Sequence, residues 1–328
     1  IPVTTVLKKL GIKATVVEEQ TTADPNFSTV EVPNPEFKET LSMGIALADK
    51  IKADAVFGTD PDCDRLGVAV RNDEDEFVAL SGNQTGVLLL DYILLRLKAE
   101  NKLPANGVVV KSFVSTGMAQ LVCNNYGVEL VETPVGFKYI GEKIKQYEAD
   151  GSHTFIFGFE ESCGYLRGTH ARDKDAVVAS MLFAEMACYY ESVGKSVYQR
   201  LCELYAKYGF VLDATDSVKY SGLSAMSDMN AAVDGMRGKT VTAIGNYTVS
   251  GVRDYLTGVR KSEDGEEELG IKGVNCLYYE LLSGGFICLR PSGTEPKLKI
   301  YYSVKGKDKA HAERALEELR ANFTALLK

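Results

Sequence analysis

The stretch GVVVKSFVSTGMAQLVCNNYGVELVE, residues 107–132, decides the fold. Residues 107–113 read as a strand, 116–125 as a helix and 128–132 as a second strand. Helix 84–100 precedes them. Helix 138–149, strand 153–159 and a long helix at about 173–192 follow. Strands alternating with helices predict a mainly parallel sheet with helices on both faces.

Toward the N-terminus, Val3, Val6, Leu7 and Leu10 mark an amphipathic helix closed by Gly11. Strand 12–17 follows, then Pro33-Asn34-Pro35-Glu36. There Asn34 reads as an N-cap and Pro35 as the first helical residue, with Phe37, Leu41, Ile45, Ala48 and Ile51 at helical spacing. A short strand, Ala55-Val56-Phe57, runs into Thr59–Arg65. Leu66–Val70 and Phe77–Leu80 flank Asn72–Asp75 as a hairpin. Beyond residue 208 the texture changes to short alternating segments, Gly-rich turns and the acidic loop Glu263–Glu268. It ends in an amphipathic helix, Lys307–Leu327. The predicted class is α/β, with consecutive α/β units and a smaller C-terminal α+β domain. The expected divisions are 1–80, 81–207 and 208–328.

The 328 residues carry a net charge of -8, which argues against nucleic acid as the main partner. Seven irregularly spaced cysteines without a C-x-x-C exclude a zinc or thioredoxin-type motif. They point to a reducing, cytoplasmic compartment. No apolar run reaches the roughly 18 residues of a membrane span, and no signal peptide is visible. The chain opens Ile1-Pro2-Val3 without a methionine, as a truncated or processed fragment would.

Three loops carry chemistry. Asp60, Asp62 and Asp64 alternate directly after a strand, so their carboxylates can converge on one hard cation such as Mg²⁺. An EF-hand is excluded because Arg65 and Arg71 stand where it needs Gly and Glu. Asp64 breaks the D-x-D-x-[TV] pattern of aspartyl-phosphate phosphatases, although Asp60 as a nucleophile is the rival reading. The second loop, Gly158–Gly164, follows strand 153–157 and offers Glu160 and Ser162 to sugar hydroxyls. Downstream, Asp173 reads as a helix N-cap, which places Lys174 in the first turn against the helix dipole. The third loop, Arg290-Pro291-Ser292-Gly293-Thr294-Glu295-Pro296, lies between two strands. It combines a bidentate arginine, two hydroxyls and a glycine that lets backbone N–H groups approach a phosphate. Gly136–Lys143 resembles a P-loop until Glu142 takes the lysine position, and the adjacent pair Ser152-His153, which implies no acid partner, reads as structural.

These loops in this order, with Pro33–Glu36, Thr133–Lys138 and Arg172–Asp175, resemble the α-D-phosphohexomutases (phosphoglucomutase/phosphomannomutase) over essentially the whole chain. The resemblance implies a four-domain enzyme with one loop from each domain lining a cleft. It carries the metal ligands onto Asp60, Asp62 and Asp64, and a phosphoryl-facing arginine onto Arg65. Sugar contacts fall on Glu160 and Ser162, and a proton-transfer lysine on Lys174. Further ligand contacts fall on Lys111 and Lys138, and the non-reacting phosphate on Arg290, Ser292, Gly293 and Thr294. The implied cofactors are Mg²⁺ and glucose 1,6-bisphosphate, which is both intermediate and activator. Glu160-Glu161-Ser162 is similar to glucomutase-type loops, which makes glucose 1-phosphate and glucose 6-phosphate the expected hexose phosphates. The family's phosphoserine loop, Thr-Ala-Ser-His-Asn-Pro, is not written in this sequence. The expectation is therefore a mutase fragment, inactive without an N-terminal domain of the same protein. A non-catalytic sugar-phosphate binding module is the alternative.

Overall fold

A computed structural model describes residues 1–293 and 295–327. It divides the chain into two compact units, Ile1–Leu204 and Tyr205–Lys328.

In the first unit β4 (Gly107–Ser112) pairs in parallel with β5 (Glu129–Thr133) and β6 (Thr154–Glu160), and β6 pairs antiparallel with β7 (Gly164–Arg167). The sheet order is β5-β4-β6-β7. All six residues of β4 are buried, as expected for a strand covered on both faces. Val108 and Val110 pack with Phe137, Ile140 and Ile144 of α5 (Phe137–Asp150). The helix α4 (Met118–Tyr126) links β4 to β5. α3 (Gly82–Ala99) starts with a capping box in which Ser81 and Gln84 exchange hydrogen bonds. It lies tight on β6: a Cβ at Gly86 would sit 2.4 Å from the Phe159 ring. α6 (Ala176–Ser192) and α7 (Val197–Tyr208) follow.

The other sheet of this unit is an antiparallel meander of β1 (Ala55–Thr59), β2 (Leu66–Arg71) and β3 (Phe77–Leu80). Helix α2 (Ser42–Ile51) packs on it through Leu41, Ala48, Val56 and Ala69. The expected hairpin is present, but among the described residues parallel pairing is confined to β5-β4-β6. Two local expectations are corrected. After α1 (Pro2–Lys9), residues 12–17 form no strand and Val16 is exposed. An alternating pattern needs a ladder partner to become a strand, and these residues find none among the described residues. Asn34 does not cap a helix. Its Oδ1 accepts the Glu36 N–H in a local turn, and α2 starts only after a short 3₁₀ turn at Lys38–Leu41. A proline holds the residue before it extended, and both Val32 and Asn34 are so placed.

The second unit is an antiparallel sheet of eight strands. They are β8 (Phe210–Lys219), β9 (Ala243–Ile244), β10 (Tyr247–Asp254), β11 (Val259–Ser262), β12 (Gly265–Glu268), β13 (Leu277–Leu281), β14 (Gly285–Pro291) and β15 (Lys297–Gly306). The order is β12-β11-β10-β13-β14-β15-β8, with β9 beside β10. α8 (Ala225–Arg237) and α9 (Lys309–Leu327) contribute Met229, Val233, Leu316, Leu319 and Phe323 to its core, against Leu277, Ile287, Leu289 and Ile300. The β14–β15 hairpin carries the third loop. Among the described residues, no helix is long and apolar enough to cross a membrane.

Candidate active site

β1 delivers the chain into a turn closed by Cys63 N–H donating to the Asp60 carbonyl at 3.0 Å. Cys63 sits in left-handed backbone, φ 62°. The Asp60 carboxylate accepts the N–H groups of Asp64 (3.0 Å) and Arg65 (2.9 Å), which folds the loop around it. Carboxylate oxygens of Asp60, Asp62 and Asp64 lie within 4.8 Å of one another. Burial, then the charges of Asp64 and Asp62, push the Asp60 carboxyl above its usual range, against the Arg65 N–H. Asp64 Oδ1 is buried without a hydrogen-bond partner among the described residues. Crowded anionic oxygens, one of them unsatisfied, fit a hard divalent cation.

Arg65 leans over this cluster, its Nε 3.5 Å from Asp60 and 3.9 Å from Asp64. Its Nη1 donates to Glu36 at 2.5 Å. Asn34 supports Glu36 in turn, and Gly67 lets the Pro35 turn sit on β2, since a Cβ there would be 2.7 Å from Pro35.

β6 runs into Glu160, Glu161 and Ser162, and the loop reverses at Cys163 (φ 63°) into β7. This loop and the aspartate loop are stitched together: Leu66 N–H donates to the Cys163 carbonyl at 3.0 Å, Ala176 N–H to that of Cys63, and Arg65 bridges Gly164. Glu160 is 4% exposed and accepts the Gly136 N–H at 2.6 Å. Gly136 has φ 124°, a conformation glycine adopts without penalty. Burial foremost, then the Glu161 charge, raises the Glu160 carboxyl to about 7, against the Gly136 N–H, Lys174 and Arg65. Glu160 is thus poised between donor and acceptor near neutrality. Ser162 beside it is half-buried.

Lys174 Nζ donates to Asp64 at 2.6 Å and to Asp173 at 3.2 Å. Burial works against its charge, but the two carboxylates outweigh burial and raise the pKa, so it is an ammonium. The N-cap of α6 is Asp175, not Asp173: Asp175 Oδ1 accepts from Val177 and Val178 N–H. Lys174 therefore precedes the helix and does not lie in its first turn. Gly164 makes room for its stem, since a Cβ there would sit 2.7 Å from Lys174 Cδ.

Lys138 is exposed, with Nζ 4.9 Å from the Tyr139 ring centre. Lys111 is 2% exposed and donates to Glu132 (2.8 Å) and to the carbonyls of Ser115 (3.1 Å) and Ser112 (3.3 Å). Those contacts occupy its three donors, which leaves none for a ligand in this arrangement. In the second unit Arg290 is half-buried and without an ion pair among the described residues. Ser292 N–H donates to Lys297, and Ser292 Oγ accepts from Glu295 N–H. A Cβ on Gly293 would meet nothing within 4 Å, so its backbone is approachable. Thr294 lies outside the described residues.

Comparison with known proteins identifies the family. Residues 2–74, 81–208 and 230–321 match the models of domain II, domain III and the C-terminal domain of phosphoglucomutase/phosphomannomutase. The chain belongs to the phosphoglucomutase/phosphomannomutase family. Among its relatives, a phosphoglucomutase of Staphylococcus haemolyticus is 34% identical over 302 residues, 91% of this chain and 54% of that protein. One from Staphylococcus aureus is 35% identical over 292 residues, 88% and 52%. The chain spans about half the length of these relatives. A solved family protein from Burkholderia thailandensis shares the fold at TM-score 0.66 and 16% identity, covering 99% of this chain and 57% of that one.

Within the candidate site, sequence reasoning missed Glu36 as the partner of Arg65. The signal was the Pro33–Glu36 stretch. It also missed the seating of Glu161, whose Oε2 accepts from Ser112 Oγ at 3.1 Å and lies 3.5 Å from Ser115 Oγ.

Proposed function

We propose that this chain carries the metal-, sugar- and phosphate-binding parts of a phosphoglucomutase-type enzyme. The reaction interconverts hexose 1-phosphate and hexose 6-phosphate through a phosphoserine and a bisphosphate intermediate. One observation carries the reading: Lys174, beside the sugar loop, reaches Asp64 of a three-carboxylate cluster that Arg65 overhangs. Cation, carboxylates and a buried acid so grouped suit phosphoryl transfer next to a sugar hydroxyl.

Asp60, Asp62 and Asp64 would hold Mg²⁺, which when bound supplies positive charge against phosphoryl oxygens. Arg65, steadied by Glu36, offers N–H donors to the same oxygens. Glu160 and Ser162 bind sugar hydroxyls, and Lys138 stands exposed for a further contact. Lys174, held as a cation by Asp64 and Asp173, would give a proton to a sugar oxygen once ligand binding draws it away from these carboxylates, which hold its pKa up. Arg290 takes the other phosphate bidentately, with Ser292 and Gly293 as neutral donors. The Glu160-Glu161-Ser162 loop and the relatives named phosphoglucomutase favour glucose 1-phosphate and glucose 6-phosphate, with glucose 1,6-bisphosphate as intermediate. The working divisions are 1–80, 81–207 and 208–328. The phosphoryl donor is a serine outside these 328 residues, so the chain by itself binds substrate without turning it over. A cytoplasmic setting accords with seven irregularly spaced cysteines.

Calorimetric titration of glucose 1-phosphate and glucose 1,6-bisphosphate into this chain, with and without Mg²⁺, tests the reading. Saturable binding that Arg290→Ala weakens by at least about tenfold, with no mutase turnover, is the expected result. Absence of binding to either sugar phosphate would refute it for this chain.

A further inference from the structure

Beneath the sugar loop lies a polar cluster that the proposed chemistry does not use. Ser112 and Ser115 are both fully buried, at 0% exposure, in the turn that ends β4. Ser115 N–H donates to the Ser112 carbonyl at 3.0 Å, and the two hydroxyls are 2.8 Å apart. Ser112 Oγ donates to Glu161 Oε2 at 3.1 Å, and Ser115 Oγ backs it, 3.5 Å from the same oxygen. Lys111 clamps the same turn from below through both of its carbonyls, and its ammonium is neutralised by Glu132 of β5. On the opposite side the loop backbone is pressed onto the start of α3, where a Cβ at Gly82 would sit 2.0 Å from the Glu161 carbonyl oxygen.

A buried ammonium is costly unless every donor is satisfied. An apolar residue would fill a plain β4 position without that cost. Here the charge organises two carbonyls, and the turn they belong to aims two hydroxyls at one carboxylate. We infer that Lys111, Ser112 and Ser115 form a buried brace that positions the Glu160–Ser162 loop through the carboxylate of Glu161. Lys111 is thus a positioning residue and not a ligand contact. The inference deepens the sugar-loop reading above and rests on it for its functional consequence. The brace has an electrostatic one too, because Glu161 is the charge that helps keep the neighbouring Glu160 protonated. The other groups facing Glu160 are the Gly136 N–H at the start of α5, Lys174 ahead of α6 and Arg65 between β1 and β2. A Glu161 freed into solvent would repel Glu160 less.

The test uses the whole chain and the double variant Ser112→Ala/Ser115→Ala, with Lys111→Met in parallel. Hydrogen–deuterium exchange is read over residues 158–165, with β13–β15 as the internal reference. Stability is measured against pH, and glucose 1-phosphate and inorganic phosphate are titrated calorimetrically. The expected result is loop exchange faster by about tenfold or more, with the reference unchanged. The pH window belonging to Glu160 should move down from about 7. Glucose 1-phosphate should bind about tenfold more weakly, with inorganic phosphate unaffected. Unchanged loop exchange overturns the brace. Faster exchange with an unmoved pH window reduces it to packing and overturns the positioning role. Should Lys111→Met fail to fold, the serine pair alone decides. Should the unsubstituted chain bind no glucose 1-phosphate, the functional reading falls, while exchange and pH still judge the brace.

Discussion

Glu160 is the residue whose environment makes the sharpest demand. Its carboxyl is raised from 4.5 to about 7 by burial and Glu161. The folded chain therefore holds a proton that the unfolded chain has released between those values. Its contribution to stability is fully present below pH 4.5 and is lost as pH rises through about 7. The raised value corresponds to roughly 3 kcal/mol. Urea unfolding of Glu160→Gln across pH 4–8 should lack this loss, so the variant gains on the parent as pH rises. A constant difference between the two would contradict the assignment. At the same scale, Asp62→Asn should abolish Mg²⁺-dependent stabilisation. Mg²⁺ at 100 times its Kd raises stability by about 2.7 kcal/mol through linkage. A thermal-shift series with and without Mg²⁺ reads it, and equal shifts in parent and variant would exclude these carboxylates as the site.

At the scale of elements, the site depends on how helices and strands end. α3 presses its first residue against the sugar loop. Gly82→Ala puts a methyl 2.0 Å from the Glu161 carbonyl oxygen, and backbone there cannot yield cheaply. The expected cost is about 1–3 kcal/mol in denaturant unfolding, and a neutral result would mean that the contact is looser than drawn. α6 is closed by Asp175, which caps two N–H groups and pairs with His170. Asp175→Ala should cost about 1 kcal/mol and loosen the segment that carries Lys174, while Asp173→Ala should cost less. The reverse order would restore Asp173 as the cap. Two acids two residues apart before one helix look alike in sequence. The choice between them needs the packing of that turn against His170.

At the scale of the molecule, the C-terminal unit has its own core of Leu277, Ile287, Leu289, Ile300, Leu319 and Phe323. A chain of residues 205–328 should fold alone with a cooperative thermal transition, and loss of cooperativity by circular dichroism would contradict its independence. Its β-hairpin, the α3–β6 series and the aspartate turn were legible because they depend on neighbours in sequence. A run of valines writes β4, alternating apolar residues write β15, and Asp60-x-Asp62-x-Asp64 places three carboxylates on one turn whatever surrounds it. Residues 12–17 carry the same alternation yet form no strand, because a ladder needs a partner that no local pattern supplies. The tertiary structure alone decided which charges meet: Glu36 with Arg65, Asp64 with Lys174, and Lys111 with Glu132. These partners are separated by 21 to 110 positions. Local sequence sets backbone shape through short-range sterics and periodicity, whereas the pairing of distant ions is set only once the chain has folded and burial has made each unpaired charge costly.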